Sequence, residues 1–261
     1  MYYKFLPCEQ IEVQPLIQQY VSSLSSPFDA FLEEHILHSC FYKIQGHETI
    51  GYYAVYQDKL LTQFFVKDLW YPVSHDIFQQ ILAKHAFSSI FIPTSDEFLL
   101  SLIFDKDYPI RKQAYFFQDS KKHIPREKLY LNGIFREAVL NDTGQIKEVS
   151  GDFFDRLEER IEEGQIFVLK EQEKLLGIGI MEKSSLQEGY ASVGMFTDED
   201  VRQRGIGRTM IHHLKTWCYE HDLTPICGCW YYNDNSKWTL ESAGMVSKTR
   251  LLNVEVKSIS S

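Results

Sequence analysis

Val193-Gly194-Met195-Phe196-Thr197, then Asp198-Glu199-Asp200-Val201, then Arg202-Gln203-Arg204-Gly205-Ile206-Gly207-Arg208: the reading of this chain turns on these sixteen residues. The first five read as a buried strand, the next four as an acidic turn, and the last seven as a basic, glycine-bearing entry into a helix. After Ile206 the apolar residues Met210, Ile211, Leu214, Trp217 and Cys218 recur at helical spacing, which puts one apolar stripe on a helix of about four turns. The first N–H groups of a helix have no intrahelical partner and carry partial positive charge. Two glycines let a ligand approach that backbone, and Arg202, Arg204 and Arg208 add full charges. Such a start suits a phosphate or pyrophosphate. Taken alone, Gly205 and Gly207 fit equally well a plain turn with its arginines in water.

Spacing separates the classes of phosphate loop. A P-loop needs Gly-Lys-Ser/Thr, a triplet absent from this chain, and a dinucleotide fingerprint wants a third Gly or Ala where Met210 stands. A third class fits. Arg202-x-x-Gly205-x-Gly207 resembles the Arg/Gln-x-x-Gly-x-Gly/Ala motif of the GCN5-related N-acetyltransferases (the GNAT superfamily), and Met195-Phe196-Thr197 resembles a variant in which an aromatic-Thr pair closes the preceding strand. Downstream, Asn233-Asp234-Asn235-Ser236 and Glu241-Ser242-Ala243-Gly244-Met245 resemble the family's Asn-x-x-Ala/Ser and Glu-x-x-Gly-Phe, with Met245 in place of Phe. The resemblance covers residues 134–256 well and residues 1–118 in outline.

That resemblance implies an α/β (α+β) chain of tandem GNAT-like domains, each a mixed, mostly antiparallel sheet flanked by helices. It implies acetyl-CoA as the acyl donor, with no metal, and transfer of the acetyl group to a primary amine by direct attack in a ternary complex. The pyrophosphate would rest on the backbone N–H groups of Gln203, Arg204, Gly205, Ile206, Gly207 and Arg208, next to Arg202. The pantetheine arm would lie along the strand ending Met195-Phe196-Thr197, with the backbone of Met195 and Thr197 as its partners. Asn233 would hydrogen-bond the cofactor, and Asn235 or Ser236 would cap the following helix, with Ser236 at the cofactor's edge. Relatives often carry a tyrosine as general acid four residues before the Gly of the Gly-Phe pair; here that position is Leu240. Tyr231 and Tyr232 are the substitutes considered for the catalytic acid, and Glu182 and Glu188 are conceivable bases through water. The missing tyrosine motivates a second reading, a catalytically weak or inactive acyl-CoA-binding protein with a regulatory or scaffolding role.

The acceptor is expected to be a small-molecule amine in preference to a protein, and the oligomeric state stays open. A net charge of −9 argues against a nucleic-acid partner. No apolar run approaches the roughly 20 residues that span a bilayer, and Met1–Pro7 lacks a signal-like apolar segment, so the expected location is cytoplasmic, away from membranes. Five cysteines, Cys8, Cys40, Cys218, Cys227 and Cys229, follow no framework spacing and read as reduced thiols. The pair His212-His213 falls on a helix flank and has no further ligand at metal spacing.

In order, residues 9–38 read as two helical segments broken at Ser26-Pro27, followed by strands at Ser39–Lys43, Thr49–Tyr56 and Leu60–Val66. A helix opens at Pro72-Val73-Ser74, then come a strand at Ser88–Ile92, a helix at Ser95–Ile103 and a strand at Arg111–Gln118. Residues 129–261 repeat the order, with strands at Ile134–Val139, Gln165–Lys170, Lys174–Met181, Gly189–Thr197, Pro225–Trp230 and Met245–Val256, and helices at Gln145–Glu162 (broken near Gly151), after Gly205, and at Asn235–Ser242. An internal duplication follows, with a domain at 1–120, a linker at 121–128 and an acetyl-CoA-binding domain at 129–261; one continuous domain with coincidental order is the alternative. Residues 52–132 contain no glycine, and Lys67-Asp68-Leu69-Trp70-Tyr71-Pro72, the counterpart of the basic loop, is bulky and ends in a residue without an N–H. The first half is therefore expected to be degenerate, with no cofactor loop.

Overall fold

The structure is a computed structural model, and it describes residues 3–256. By contacts the chain separates into two units, Met1–Phe116 together with Thr249–Ser261, and Phe117–Lys248. Among the described residues there are twelve strands and eight α-helices.

The first unit begins with β1 (Lys4–Cys8), α1 (Gln10–Ser23) and α2 (Ala30–Leu37). Then come β2 (Cys40–Gln45), β3 (Thr49–Tyr56), β4 (Leu60–Val66) and a 3-10 turn at Asp68–Val73. It continues through α3 (Ser74–Lys84), β5 (Ser89–Pro93), α4 (Glu97–Phe104) and β6 (Ile110–Asp119), whose end already belongs to the second unit. The second unit holds β7 (Ile134–Glu137), α5 (Thr143–Ser150), α6 (Leu157–Glu162), β8 (Ile166–Glu171), β9 (Lys174–Lys183) and β10 (Tyr190–Thr197). It closes with α7 (Ile206–Glu220), β11 (Thr224–Trp230), α8 (Asp234–Ser242) and the start of β12 (Met245–Glu255).

Each unit is a mixed, mostly antiparallel sheet with helices. In the first, the strand order is β1-β2-β3-β4-β5-β12, antiparallel except where β4 runs parallel to β5. In the second, β11-β10-β9-β8-β7 is antiparallel except where β10 runs parallel to β11. The chain passes between strand and helix where its apolar spacing changes between two and about 3.6 residues. On α7 the expected stripe is buried at Ile206, Met210, Ile211, Leu214 and Cys218, while Trp217 leans aside to stack on His221 at 3.7 Å. Gly151 ends α5 with φ of 56°, the break expected between α5 and α6. No described helix is long and apolar enough to cross a membrane.

Three features depart from the sequence expectation. Lys4–Cys8, which shows no alternation to mark it, forms an edge strand against β2, with Phe5 opposite Ile44 and Pro7 opposite Tyr42; an edge is where a strand tolerates proline. From Thr249 onward the last strand belongs to the first unit, where Leu251 lies opposite Pro93 and Glu255 opposite Ser89. Residues 121–128, read as a linker, are part of the second unit; Ile124 is buried, and Lys122's carbonyl approaches Gly244.

Candidate functional site

The site is built where β10 leaves its parallel neighbour. Along one edge β10 pairs with β9 from Ala191 opposite Lys183 to Thr197 opposite Gly177. Along the other it pairs with β11 only through Tyr190, Ala191 and Ser192, against Thr224, Pro225 and Ile226. Beyond Ser192 the two strands are no longer paired, and Met195, Phe196 and Thr197 of β10 line an opening instead. Backbone polar groups at such an edge need water or a ligand.

The turn after β10 is tied locally. Asp198 accepts from the Asp200 N–H at 3.0 Å, Val201 is buried as an anchor, and Arg202 pairs with Glu199 at 3.0 Å. Gln203 and Gly205 then take positive φ of 65° and 82°, a reversal that aims successive N–H groups the same way. The first helical hydrogen bond of α7 is donated by Thr209 to the Gly205 carbonyl at 2.9 Å. Among the described residues, none of the six N–H groups from Gln203 to Arg208 donates a well-formed hydrogen bond to a backbone carbonyl. Gly207 has a packing reason as well: a Cβ there would lie 2.8 Å from Thr239 Cγ2 and 3.3 Å from Met195 Sδ, so only glycine lets α7 seat this close to α8 and β10.

The three arginines are used differently. Arg204 turns away from the opening to donate to the Tyr130 hydroxyl at 3.0 Å, with its guanidinium over the Tyr130 ring at 5.2 Å. Tyr130 in turn donates to Glu171 at 2.7 Å, and its N–H donates to Thr209 Oγ1 at 2.8 Å. Arg202 remains at the rim beside Glu199. Arg208 folds back over Gly205, and its Nε is buried without a hydrogen-bond partner. A buried guanidinium nitrogen left unpaired is costly unless an acceptor fills the space beside it.

These walls enclose a cavity of about 620 Å³. Of the residues singled out from the sequence, Met195, Phe196, Thr197, Arg202, Gln203, Gly205, Ile206, Gly207, Arg208, Asn233 and Ser236 line it; the side chain of Arg204 does not. The cap of α8 is Asn233 itself, whose Oδ1 accepts from the Ser236 N–H at 3.1 Å, so neither Asn235 nor Ser236 does the capping. Its carboxamide NH2 is left for another partner. Sequence reasoning named Asn235 only as a cap and Ser242 only within a motif, and missed Trp238 and Thr239; together the four form the face of α8 that closes the cavity, and their spacing of three, four and seven residues was the available signal. It also missed Phe153, in the irregular stretch between α5 and α6, whose ring meets Phe196 at 5.1 Å. Nothing local in the sequence marks that contact.

Tyr231 and Tyr232 do not line this cavity. Tyr232 is exposed, with its ring 5.1 Å from Trp230 and 5.2 Å from Tyr231, and it faces a neighbouring recess. Glu182 is engaged by the buried Arg160 at 2.6 Å, which also holds Asp155 at 2.9 Å, whereas Glu188 is exposed in the hairpin. His213 stacks on Phe135 at 4.7 Å, and burial pushes the basicity of both His212 and His213 down. Among the described residues no three His, Cys, Asp or Glu side chains gather as metal ligands, and none of the five cysteines is in a disulfide.

Comparison with known proteins adds the family. Residues 9–120 match the model of an acetyltransferase (GNAT) domain, and residues 134–242 match that of the acetyltransferase (GNAT) family. A GNAT-family acetyltransferase from Colwellia psychrerythraea superposes with a TM-score of 0.86 at 18% identity, covering 97% of this chain and all (100%) of that one. A tandem GNAT protein from the clavulanic acid biosynthesis pathway gives 0.63 at 9% identity over 98% of both chains. A GCN5-related N-acetyltransferase from Sphaerobacter thermophilus gives 0.66 at 10% identity, covering 97% and 95%. At these identities the likeness concerns the fold. The search of curated proteins returned no match.

Proposed function

The chain belongs to the GNAT superfamily, and on that premise we propose that its second unit takes an acetyl group from acetyl-CoA and passes it to a primary amine. The observation that carries this reading is the convergence of two unpaired backbone rows on one cavity. The N–H groups of the loop Gln203–Arg208 stand across the cavity from Met195, Phe196 and Thr197, the part of β10 beyond its pairing with β11. The first row suits a pyrophosphate and the second an amide-bearing arm lying beside the strand. Arg208 supports the fit, because its buried, unpaired Nε gains an acceptor from a phosphate oxygen. Met195 and Thr197 would meet the pantetheine amides through their backbone, with Phe196 packed against Phe153 between them. Asn233, with its NH2 free of the cap, would donate to the arm from the opposite wall. Arg204 contributes its N–H alone, and Ser236 lies at the margin.

With the phosphates at the start of α7, the arm runs back along β10 and ends near Ser192 and Ile226, where the strands part. There the amine nitrogen, deprotonated, attacks the thioester carbonyl; the C–S bond breaks, and the thiolate takes up a proton as the amide forms. Tyr231 and Tyr232 follow the far end of β11, at the phosphate end of the groove. Their placement gives the proton-donor role no support, and Tyr231→Phe and Tyr232→Phe test it directly. Leu240, at the family's usual acid position, is buried.

The test is turnover. Incubating the full chain with acetyl-CoA and a panel of primary amines, while following free thiol, should show release above the hydrolysis background for at least one amine. Binding of acetyl-CoA with no release for any amine, small or protein-borne, would favour the second reading, an acyl-CoA-binding regulatory or scaffold protein, which the missing tyrosine at Leu240 favours.

A further inference from the structure

Beside the cavity lies a second recess of about 470 Å³, lined by Trp230, Tyr232, Asn233, Asp234, Asn235 and Trp238. Three large aromatic side chains surround it, and all three are left in solvent: Trp230 is 58% exposed, Tyr232 62% and Trp238 61%. Three such rings within nine residues form an exposed aromatic patch, the kind of surface that marks a ligand or partner. Trp238 borders both spaces, since it also lines the cavity that carries the proposed function.

The topology says which end of a ligand reaches this recess. β11 runs parallel to β10, so Trp230 at its end lies at the same end of the sheet as Thr197 and the loop Gln203–Arg208. A ligand whose phosphates sit on that loop and whose arm lies between the strands must send its remaining part out at this end. The recess contains flat aromatic faces, one carboxylate (Asp234) and two carboxamides, and no cationic side chain. That composition disfavours a phosphate or carboxylate. It suits a flat, neutral heterocycle with an exocyclic amino group, which can stack on an indole while donating to Asp234 or Asn235. We infer that Trp238, with Trp230 and Tyr232 beside it, is a stacking platform for the adenine base of the bound acyl-CoA.

This inference rests on the acyl-CoA reading of the cavity, and the test separates the two. Calorimetry on the full chain compares CoA with 4′-phosphopantetheine, which keeps the arm and one phosphate and lacks the nucleoside. For Trp238→Ala, CoA binding should weaken roughly tenfold or more, the usual loss when a base gives up an aromatic partner. Phosphopantetheine binding should stay within about twofold of wild type, and Trp238→Phe, which keeps an aromatic face, should recover most of the CoA affinity. The ring is exposed, so the melting of Trp238→Ala should match wild type. Equal loss for both ligands would show that Trp238 only shapes the α8 wall, and no loss for either would remove it from the site; both outcomes overturn the platform. A wild-type chain that binds neither ligand would overturn the acyl-CoA reading and the platform with it.

Discussion

β4 and β10 hold the same place in their two units and differ in what lies beside them. Each pairs with the preceding strand so that its last residue faces a glycine, Val66 opposite Gly51 and Thr197 opposite Gly177. Each pairs in parallel with the following strand only near its start, through Leu61 with Ile90 and Ser192 with Ile226, and then parts from it. Each is followed by a 3-10 turn and a helix, and later by a cap that accepts from the residue three further on, Asp96 from Leu99 at 2.9 Å and Asn233 from Ser236 at 3.1 Å. Yet β4 is buried from Leu61 to Val66, whereas Gly194 to Thr197 of β10 are only partly covered. In the first unit Tyr71 stacks on Phe98 at 4.3 Å, Phe98 lies parallel to Phe64 at 6.4 Å, and Phe64 meets Phe78 at 5.1 Å. Counting from the caps, Asn235 stands in the second unit where Phe98 stands in the first. One backbone device thus yields either an apolar core or an open cavity, according to a few side chains. The architecture common to both units supplies the parting of the strands, and the residues placed in it decide whether a ligand has room.

The largest test of that contrast is to empty the first unit. Phe64 is 1% exposed, so Phe64→Ala should cost about 3–5 kcal/mol through lost packing and a residual cavity, read from chemical denaturation. It should still leave one CoA bound per chain, because Asp68–Val73 offers no glycine loop; a stoichiometry of two would break the contrast. Next, Gly205→Glu places a side chain at φ of 82° and a carboxylate against the N–H row. CoA affinity measured by calorimetry should drop roughly a hundredfold or more, about 2.7 kcal/mol, and an affinity within threefold of wild type would remove the loop from the site.

The caps give a smaller, pH-dependent difference. Burial raises the Asp96 carboxyl to about 6, while Asn233 in the same place has nothing to titrate. Because the folded state holds its proton more tightly than the unfolded chain, Asp96 favours folding below about pH 4, and that contribution is lost as pH rises through about 6. The loss should be on the order of 2–3 kcal/mol. Asp96→Asn keeps the cap and should flatten the first unit's stability between those pH values; an unchanged slope would place its cause elsewhere. Smallest is the contrast within the basic loop. Arg208→Ala should weaken CoA about tenfold through loss of a charge-assisted hydrogen bond, whereas Arg204→Ala, whose guanidinium is held by Tyr130, should stay within about threefold. Equal losses would mean that Arg204 leaves Tyr130 when ligand binds.

Much of this was legible because it is local. The stripe on α7 follows from the spacing of Met210, Ile211, Leu214 and Cys218, and all four are buried. The loop residues Gln203 and Gly205 to Arg208 and the strand end Met195 to Thr197 are near neighbours in sequence, so their meeting on one cavity depends on no distant packing. The α8 face of Asn235, Trp238, Thr239 and Ser242 was readable in principle, but helical spacing by itself does not say which face meets a cavity. The edge strand Lys4–Cys8 was not readable, because its pairing with β2 and not its own pattern makes it a strand.

By itself the sequence determined the order of elements from α1 onward, the basic glycine loop at the start of α7, and the absence of such a loop after β4, since all three depend on residue types at short separation. Only the tertiary structure decided where each arginine points, what fills the space beside β4, and which unit takes the last strand. Arg204 is claimed by Tyr130, 74 residues earlier in the chain, Phe196 is met by Phe153, and Leu251 finds Pro93. The reason is physical: a side chain's direction and a strand's partner are set by whatever packs against them, and the packing partners here lie tens of residues away along the chain.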